Sequence, residues 1–221
     1  MRRYLPFIIV TAVGLLTIGS GAMLYRAKRL SMRTAPKNYI VSGLPGGEPM
    51  HVRGRLDAPV TLEEFGDLQC PPCGTLAGAI DQLLRDYQPR LRLIFRHFPL
   101  VTHQRAREAA FASEAAGLQG RFWEMHDLLY RGQSIWSNAA DVRLSFNTYA
   151  GILGLDIDRF KKDMGSEQVR QRVAADRQRG ASLGVTRTPT VFINNHALPA
   201  ASVTPAGLRA AIDAAMKAPL P

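Results

Sequence analysis

The chain has 221 residues, 46% of them hydrophobic and 21% charged, a composition that excludes a mainly disordered polypeptide and suffices for one globular domain of roughly 150 to 200 residues. Its 14 prolines and 19 glycines follow no three-residue period, and no segment repeats at about 20 to 50 residues, which excludes collagen and solenoid architectures. The formal charge of +10 belongs to one end: nine basic residues and one acid, Glu48, fall within residues 1–56, leaving 19 basic against 17 acidic residues elsewhere. A nucleic-acid-binding face on the domain is therefore not expected.

No charge interrupts the chain from Tyr4 to Tyr25, and Leu5 to Leu24 is almost wholly apolar, about the length that crosses a bilayer. The segment reads as an N-terminal transmembrane helix. Ser20-Gly21-Ala22 keeps a cleaved signal peptide open as the alternative, but Arg26, Lys28 and Arg29 follow at once and favour an anchor. Basic residues flank both ends, so the positive-inside count does not orient it. Residues 26–56 carry Pro36, Pro45, Pro49, Gly43, Gly46 and Gly47 without periodicity and read as a tether. The expected organisation is an anchor or signal segment at 1–25, a tether at 26–56 and a folded domain at 57–216.

Val60-Thr61-Leu62-Glu63-Glu64-Phe65 is a β-branched and apolar run before a Gly66-Asp67 break, as a strand requires. Alternation places Glu64 on one face with Val60 and Leu62. That carboxyl is either buried, with a raised pKa suited to proton shuttling beside a thiol, or a solvated strand-edge acid. Asp67 reads as a local turn acid.

Cys70 and Cys73 are the two cysteines of the chain. Spacing of this kind serves a redox dithiol, half of a zinc site, or neither. Zinc would need two more ligands from His51, His97, His103, His126 and His196, which form no closely spaced histidine pair; neither a metal nor a cofactor is expected. Leu76, Ile80, Leu83, Leu84 and Tyr87 then recur at helical spacing. Cys70 falls at a strand-to-helix turn with Pro71 in the first helical turn, where the helix dipole favours thiolate. Cys70 is the candidate nucleophile and Cys73 the candidate resolving thiol.

In Asp57-Ala58-Pro59 through Cys70-Pro71-Pro72-Cys73, in Leu93-Ile94-Phe95-Arg96-His97-Phe98-Pro99-Leu100, in Tyr149 to Leu155 with Phe160, and in Gly184-Val185-Thr186-Arg187-Thr188-Pro189-Thr190-Val191-Phe192-Ile193-Asn194, the chain resembles the DsbA-type disulfide oxidoreductases of bacteria, in their membrane-anchored or secreted branch. The resemblance implies an α/β thioredoxin fold with an inserted all-helical domain at about 99–185, preceded here by the transmembrane helix. It implies that Thr188 and Pro189 form a cis-proline loop that binds substrate peptide beside the cysteines, and that Glu64 is the buried acid of the site. His97 is read as a core or strand-end histidine, and Trp123, Met125 and Trp136 as core of the insert. Expected strands lie near 60–65, 91–97 and 190–194, and a last helix over 204–216 with Thr204 as its cap.

Relatives of the DsbA type proper keep a histidine between the cysteines, where this chain has two prolines. Pro71 and Pro72 remove two N–H donors from the neighbourhood of the Cys70 sulfur, which implies a less oxidising couple. The function implied is an extracytoplasmic thiol:disulfide oxidoreductase acting on cysteine-containing exported proteins and recycled by a membrane redox partner. A reductase or isomerase fed by a membrane electron donor and a non-catalytic peptide-binding or chaperone-like module are the alternatives. No phosphate-binding glycine loop, nucleophile elbow or zinc-protease helix is present in the sequence.

Overall fold

A computed structural model describes residues 51–218. The anchor and residues 26–50 of the tether lie outside the described residues. Among the described residues, no helix is long and apolar enough to cross a membrane.

Five strands form one sheet: β1 (Val52–Arg53), β2 (Val60–Gly66), β3 (Leu91–His97), β4 (Thr190–Ile193) and β5 (His196–Ala197), in the order β1-β3-β2-β4-β5. Central β2 runs parallel to β3, with Val60 opposite Leu91 and Gly66 opposite His97, and antiparallel to β4, with Phe65 opposite Thr190. The crossover between β2 and β3 is α1 (Pro71–Asp86), as a parallel pair demands. Asn194 and Asn195 take φ of 46° and 67° in the tight β4–β5 turn, a conformation asparagine tolerates better than most residues.

The 87-residue stretch from Pro99 to Val185 builds α2 (Ala106–Gly117), α3 (Phe122–Arg131), α4 (Gln133–Trp136), α5 (Val142–Ile152), α6 (Ile157–Met164) and α7 (Glu167–Ser182), and α8 (Pro205–Lys217) closes the domain. Side-chain caps start several of these helices: Asp141 accepts from Arg143 N, Asp156 from Arg159 N, Ser166 from Val169 N and Thr204 from Gly207 N, each contributing roughly 1 kcal/mol. This is the thioredoxin fold with a helical insert, and the expected strands hold to within a residue.

Two apolar layers position the site. Val60, Leu62, Leu91, Leu93, Val191 and Ile193 from the sheet pack on Ile80 and Leu83 of α1 and on Leu208 and Ile212 of α8. Each large side chain so buried contributes on the order of 1.5–3 kcal/mol. The second layer joins Cys70 and Cys73 to Phe95 of β3 and to Met125, Leu129, Tyr130, Trp136, Phe146 and Phe160 of the insert. Met125 and Trp136 are fully buried. Trp123 is part-buried, stacks under the Arg53 guanidinium at 4.4 Å and donates to Val52 O.

The tether reading is corrected at its end. Val52–Arg53 pairs antiparallel with β3, and buried His51 meets Glu114 at 2.8 Å. Two paired residues are too few to leave a period in the sequence, so only the partner strand reveals this edge.

Candidate functional site

Cys70 is the N-cap of α1, with extended backbone (φ −75°, ψ 117°) and Pro71 in the first turn. The turn before it closes through Cys70 N donating to Asp67 O, and the helix begins with Gly74 N donating to Cys70 O. Both thiols are unbridged and buried. The hydrogen bond from the Cys73 thiol brings Cys70 down to about 6, with Thr188 and the Cys73 backbone adding to it, against burial and the nearby Asp67 charge. Burial, the hydrogen bond with Cys70 and the charge at Glu64 push Cys73 in the opposite direction. One sulfur is thus poised as thiolate at neutral pH while the other keeps its proton. Cys70, expected from the helix end to favour thiolate, is the sulfur whose pKa is lowered, and the largest cause is its partner thiol.

The β2–β4 register carries the segment before Thr190 to the end of the sheet where β2 hands over to the Asp67 turn. There the Thr188–Pro189 bond is cis, and Cys70 Sγ, in its thiol form, donates to Thr188 O at 3.4 Å. The structure therefore brings Thr188 and Pro189 to the cysteines. A second cis bond, Gln88–Pro89, lies beyond the far end of α1 and is not visible in the sequence pattern.

Glu64 sits on the face of β2 toward α1, is 1% exposed, and leaves Oε1 without a protein hydrogen bond. Burial, the charge at Cys70 and that at Asp81 raise its carboxyl to about 8. It therefore carries a proton over much of the neutral range. Tyr130, absent from the sequence-based candidates, belongs to the same region. Its hydroxyl is buried without a hydrogen-bond partner, and burial together with Cys73, Glu64 and Asp67 raises its pKa well above the usual phenol. A Cβ at Gly66 would meet Phe95 Cε2 at 2.5 Å and Tyr130 Oη at 3.1 Å, so glycine is what lets that ring approach the strand.

Asp67 does more than stabilise its own turn. Oδ1 accepts from Gln69 N at 2.7 Å, and Oδ2 accepts from Leu100 N at 2.9 Å and from His103 Nδ1 at 2.8 Å. These bonds tie the cysteine turn to the loop after β3. His97 ends β3 fully buried, with Nε2 3.2 Å from Glu114 Oε1, and does not reach the cysteines. Glu63, on the opposite face from Glu64, accepts from Arg96 Nε at 2.9 Å and, through both oxygens, from Arg179 at 2.8 and 2.9 Å. Two adjacent acids in one strand were the available signal for this buried network. Among the described residues, no group of three or more His, Cys, Asp or Glu side chains could hold a metal ion.

A family model described as Thioredoxin matches residues 47–214. Among solved structures, the chain is similar to BdbD from Bacillus subtilis in its oxidised form (TM-score 0.68, 25% identity, 82% of this chain and 100% of that one). It is also similar to a thioredoxin-like oxidoreductase from Silicibacter pomeroyi (0.66, 26%, 79% and 96%) and to DsbA2 from Pseudomonas aeruginosa (0.60, 25%, 78% and 96%). Among curated relatives, a protein named Na(+)/H(+) antiporter NhaA 1 from Mycolicibacterium gilvum is 44% identical over 149 residues, 65% of this chain and 23% of the relative. The chain spans less than a third of the length of the curated relatives it matches.

Proposed function

The chain belongs to the thioredoxin family in its DsbA-like form, and on that premise we propose that it is an extracytoplasmic thiol:disulfide oxidoreductase that forms or exchanges disulfides in exported proteins. The observation that carries the reading is the placement of Cys70: at the N-cap of α1, over Cys73, and 3.4 Å from the carbonyl that precedes a cis proline.

In the proposed cycle the oxidised pair is the acceptor. A substrate thiolate attacks Cys70 Sγ, the Cys70–Cys73 bond breaks, and the electron pair leaves on Cys73, which takes up a proton. Protonated Glu64, which interacts electrostatically with Cys73, is suited to supply it. A second substrate thiolate then attacks the substrate sulfur of the mixed disulfide, expelling Cys70 as the thiolate its surroundings favour. The substrate loses two electrons and the pair gains them, and a membrane redox partner removes them again. Thr188 and Pro189 offer main-chain groups to the substrate peptide during both steps. The apolar run at 5–24 supports a tether at the outer side of the cytoplasmic membrane, where disulfides persist.

Two prolines between the cysteines support a second reading, a reductase fed by a membrane electron donor, because they remove N–H groups that would stabilise a thiolate. The reduction potential of the full chain, equilibrated in glutathione buffers with thiol trapping, separates them. A value of about −120 to −180 mV fits the oxidase or isomerase, and one of about −270 mV fits a reductant. A Cys73→Ser variant should accumulate mixed disulfides with substrate on Cys70. A chain with no reversible couple and no such adducts would instead be a peptide-binding module.

A further inference from the structure

The turn that carries Cys70 is held by a residue far from it in the chain. Gln133, the first residue of α4 in the helical insert, donates from Nε2 to two carbonyls of that turn, Leu68 O at 2.7 Å and Cys70 O at 3.0 Å. The second oxygen also accepts the first helical bond of α1, from Gly74 N at 3.2 Å. Because Pro71 and Pro72 carry no N–H, the Cys73 amide is the first donor of α1. Whether Cys70 Sγ lies over that amide and the Cys73 thiol depends on how the Cys70 peptide is oriented.

Gly74 bears on the side-chain amide of Gln133. A Cβ at residue 74 would lie 2.9 Å from Gln133 Oε1, so any larger residue there pushes the Gln133 amide away from its two carbonyls. The absence of a side chain at 74 and the reach of Gln133 are parts of one arrangement.

We infer that Gln133 is a positioning residue for the dithiol reaction: it locks the Leu68–Cys70 turn so that Cys70 Sγ stays over the first turn of α1, and the helical insert thereby sets the reactivity of that thiol. The inference deepens the proposed redox function and rests on Cys70 being the nucleophile. Gln133 touches neither sulfur and acts only through the turn.

The test uses the reduced full chain and follows iodoacetamide alkylation of Cys70 against pH, by mass, beside thermal unfolding. Gln133→Ala should move the alkylation midpoint up by about half a pH unit, about threefold less thiolate on the acid side. Gln133→Glu, similar in shape but without a donor when ionised, should move it further. Gly74→Ala should also raise the midpoint with a smaller loss of melting temperature than Gln133→Ala, because the helix preference of alanine offsets part of the cost of displacing the Gln133 bonds. That variant keeps the inference testable if Gln133→Ala does not fold. Midpoints equal to wild type in Gly74→Ala and Gln133→Glu overturn the inference whatever the melting temperatures do, and leave Gln133 as packing. A wild-type midpoint near that of a free thiol would overturn the parent reading of Cys70 as well, and shows itself before any substitution is made.

Discussion

Cys70 Sγ and the carbonyl oxygen of Thr188 meet at 3.4 Å across 118 residues of sequence. The contact joins the N-terminus of α1 to the loop that enters β4, and it exists because β2 pairs with β4 in the register that sets Phe65 opposite Thr190. The sulfur is held between the end of α1 and the Thr188–Pro189 loop, and both thiols are buried.

The lowered pKa of Cys70 makes the stability of the reduced protein depend on pH. A group whose folded pKa lies below its unfolded value stabilises fully above the unfolded pKa, and the contribution is lost as pH falls through the folded one. With Cys70 brought down to about 6 from the ordinary thiol range, the reduced protein should gain about 2–3 kcal/mol relative to the oxidised protein between about pH 5 and pH 8. Melting temperatures of the two forms across that range measure it, and a gap independent of pH would contradict the assignment of Cys70 as thiolate.

Glu64 has the opposite sign. Its carboxyl, raised by burial to about 8, holds a proton in the folded state that the unfolded chain has lost, so stability falls with rising pH between about 4.5 and 8. Glu64→Gln should therefore stabilise the protein by about 2–3 kcal/mol at pH 7 and by nothing below about pH 4. Denaturant unfolding of both proteins at the two pH values checks this. Equal stabilities at pH 7 would mean that the carboxyl is ionised at no cost.

Glu63 acts on structure and not on the dithiol. Burial pushes its carboxyl up, but the bonds to Arg179 and Arg96 outweigh this and hold it below the usual range. Glu63→Gln takes the charge from a buried pair and leaves Arg179 without its bidentate partner, so a loss of about 3–5 kcal/mol is expected. The alkylation midpoint of Cys70 should stay at its wild-type value, because Glu63 faces away from α1. A shifted midpoint would show that the two faces of β2 are coupled.

The local chemistry was legible in the amino-acid sequence. Strand alternation, a proline pair at a helix start, apolar spacing after Cys73 and a threonine before the last helix depend on neighbours within a few residues, so β2, α1 and α8 appear where the pattern places them. The position of Cys70 at the start of α1 was legible in the same way, since the end of a helix is a local property. Thr188 beside Cys70 was expected from the resemblance alone; what required the tertiary structure is every other group brought in from a distance: Tyr130 over Gly66, His103 on Asp67, Gln133 on the cysteine turn and Arg179 on Glu63. Periodicity records which face of an element is apolar and says nothing about which partner covers it. The thiolate at Cys70 is suggested by its position at a helix end, but the strength of that preference is set by contacts that only the packing of the insert and the sheet brings together.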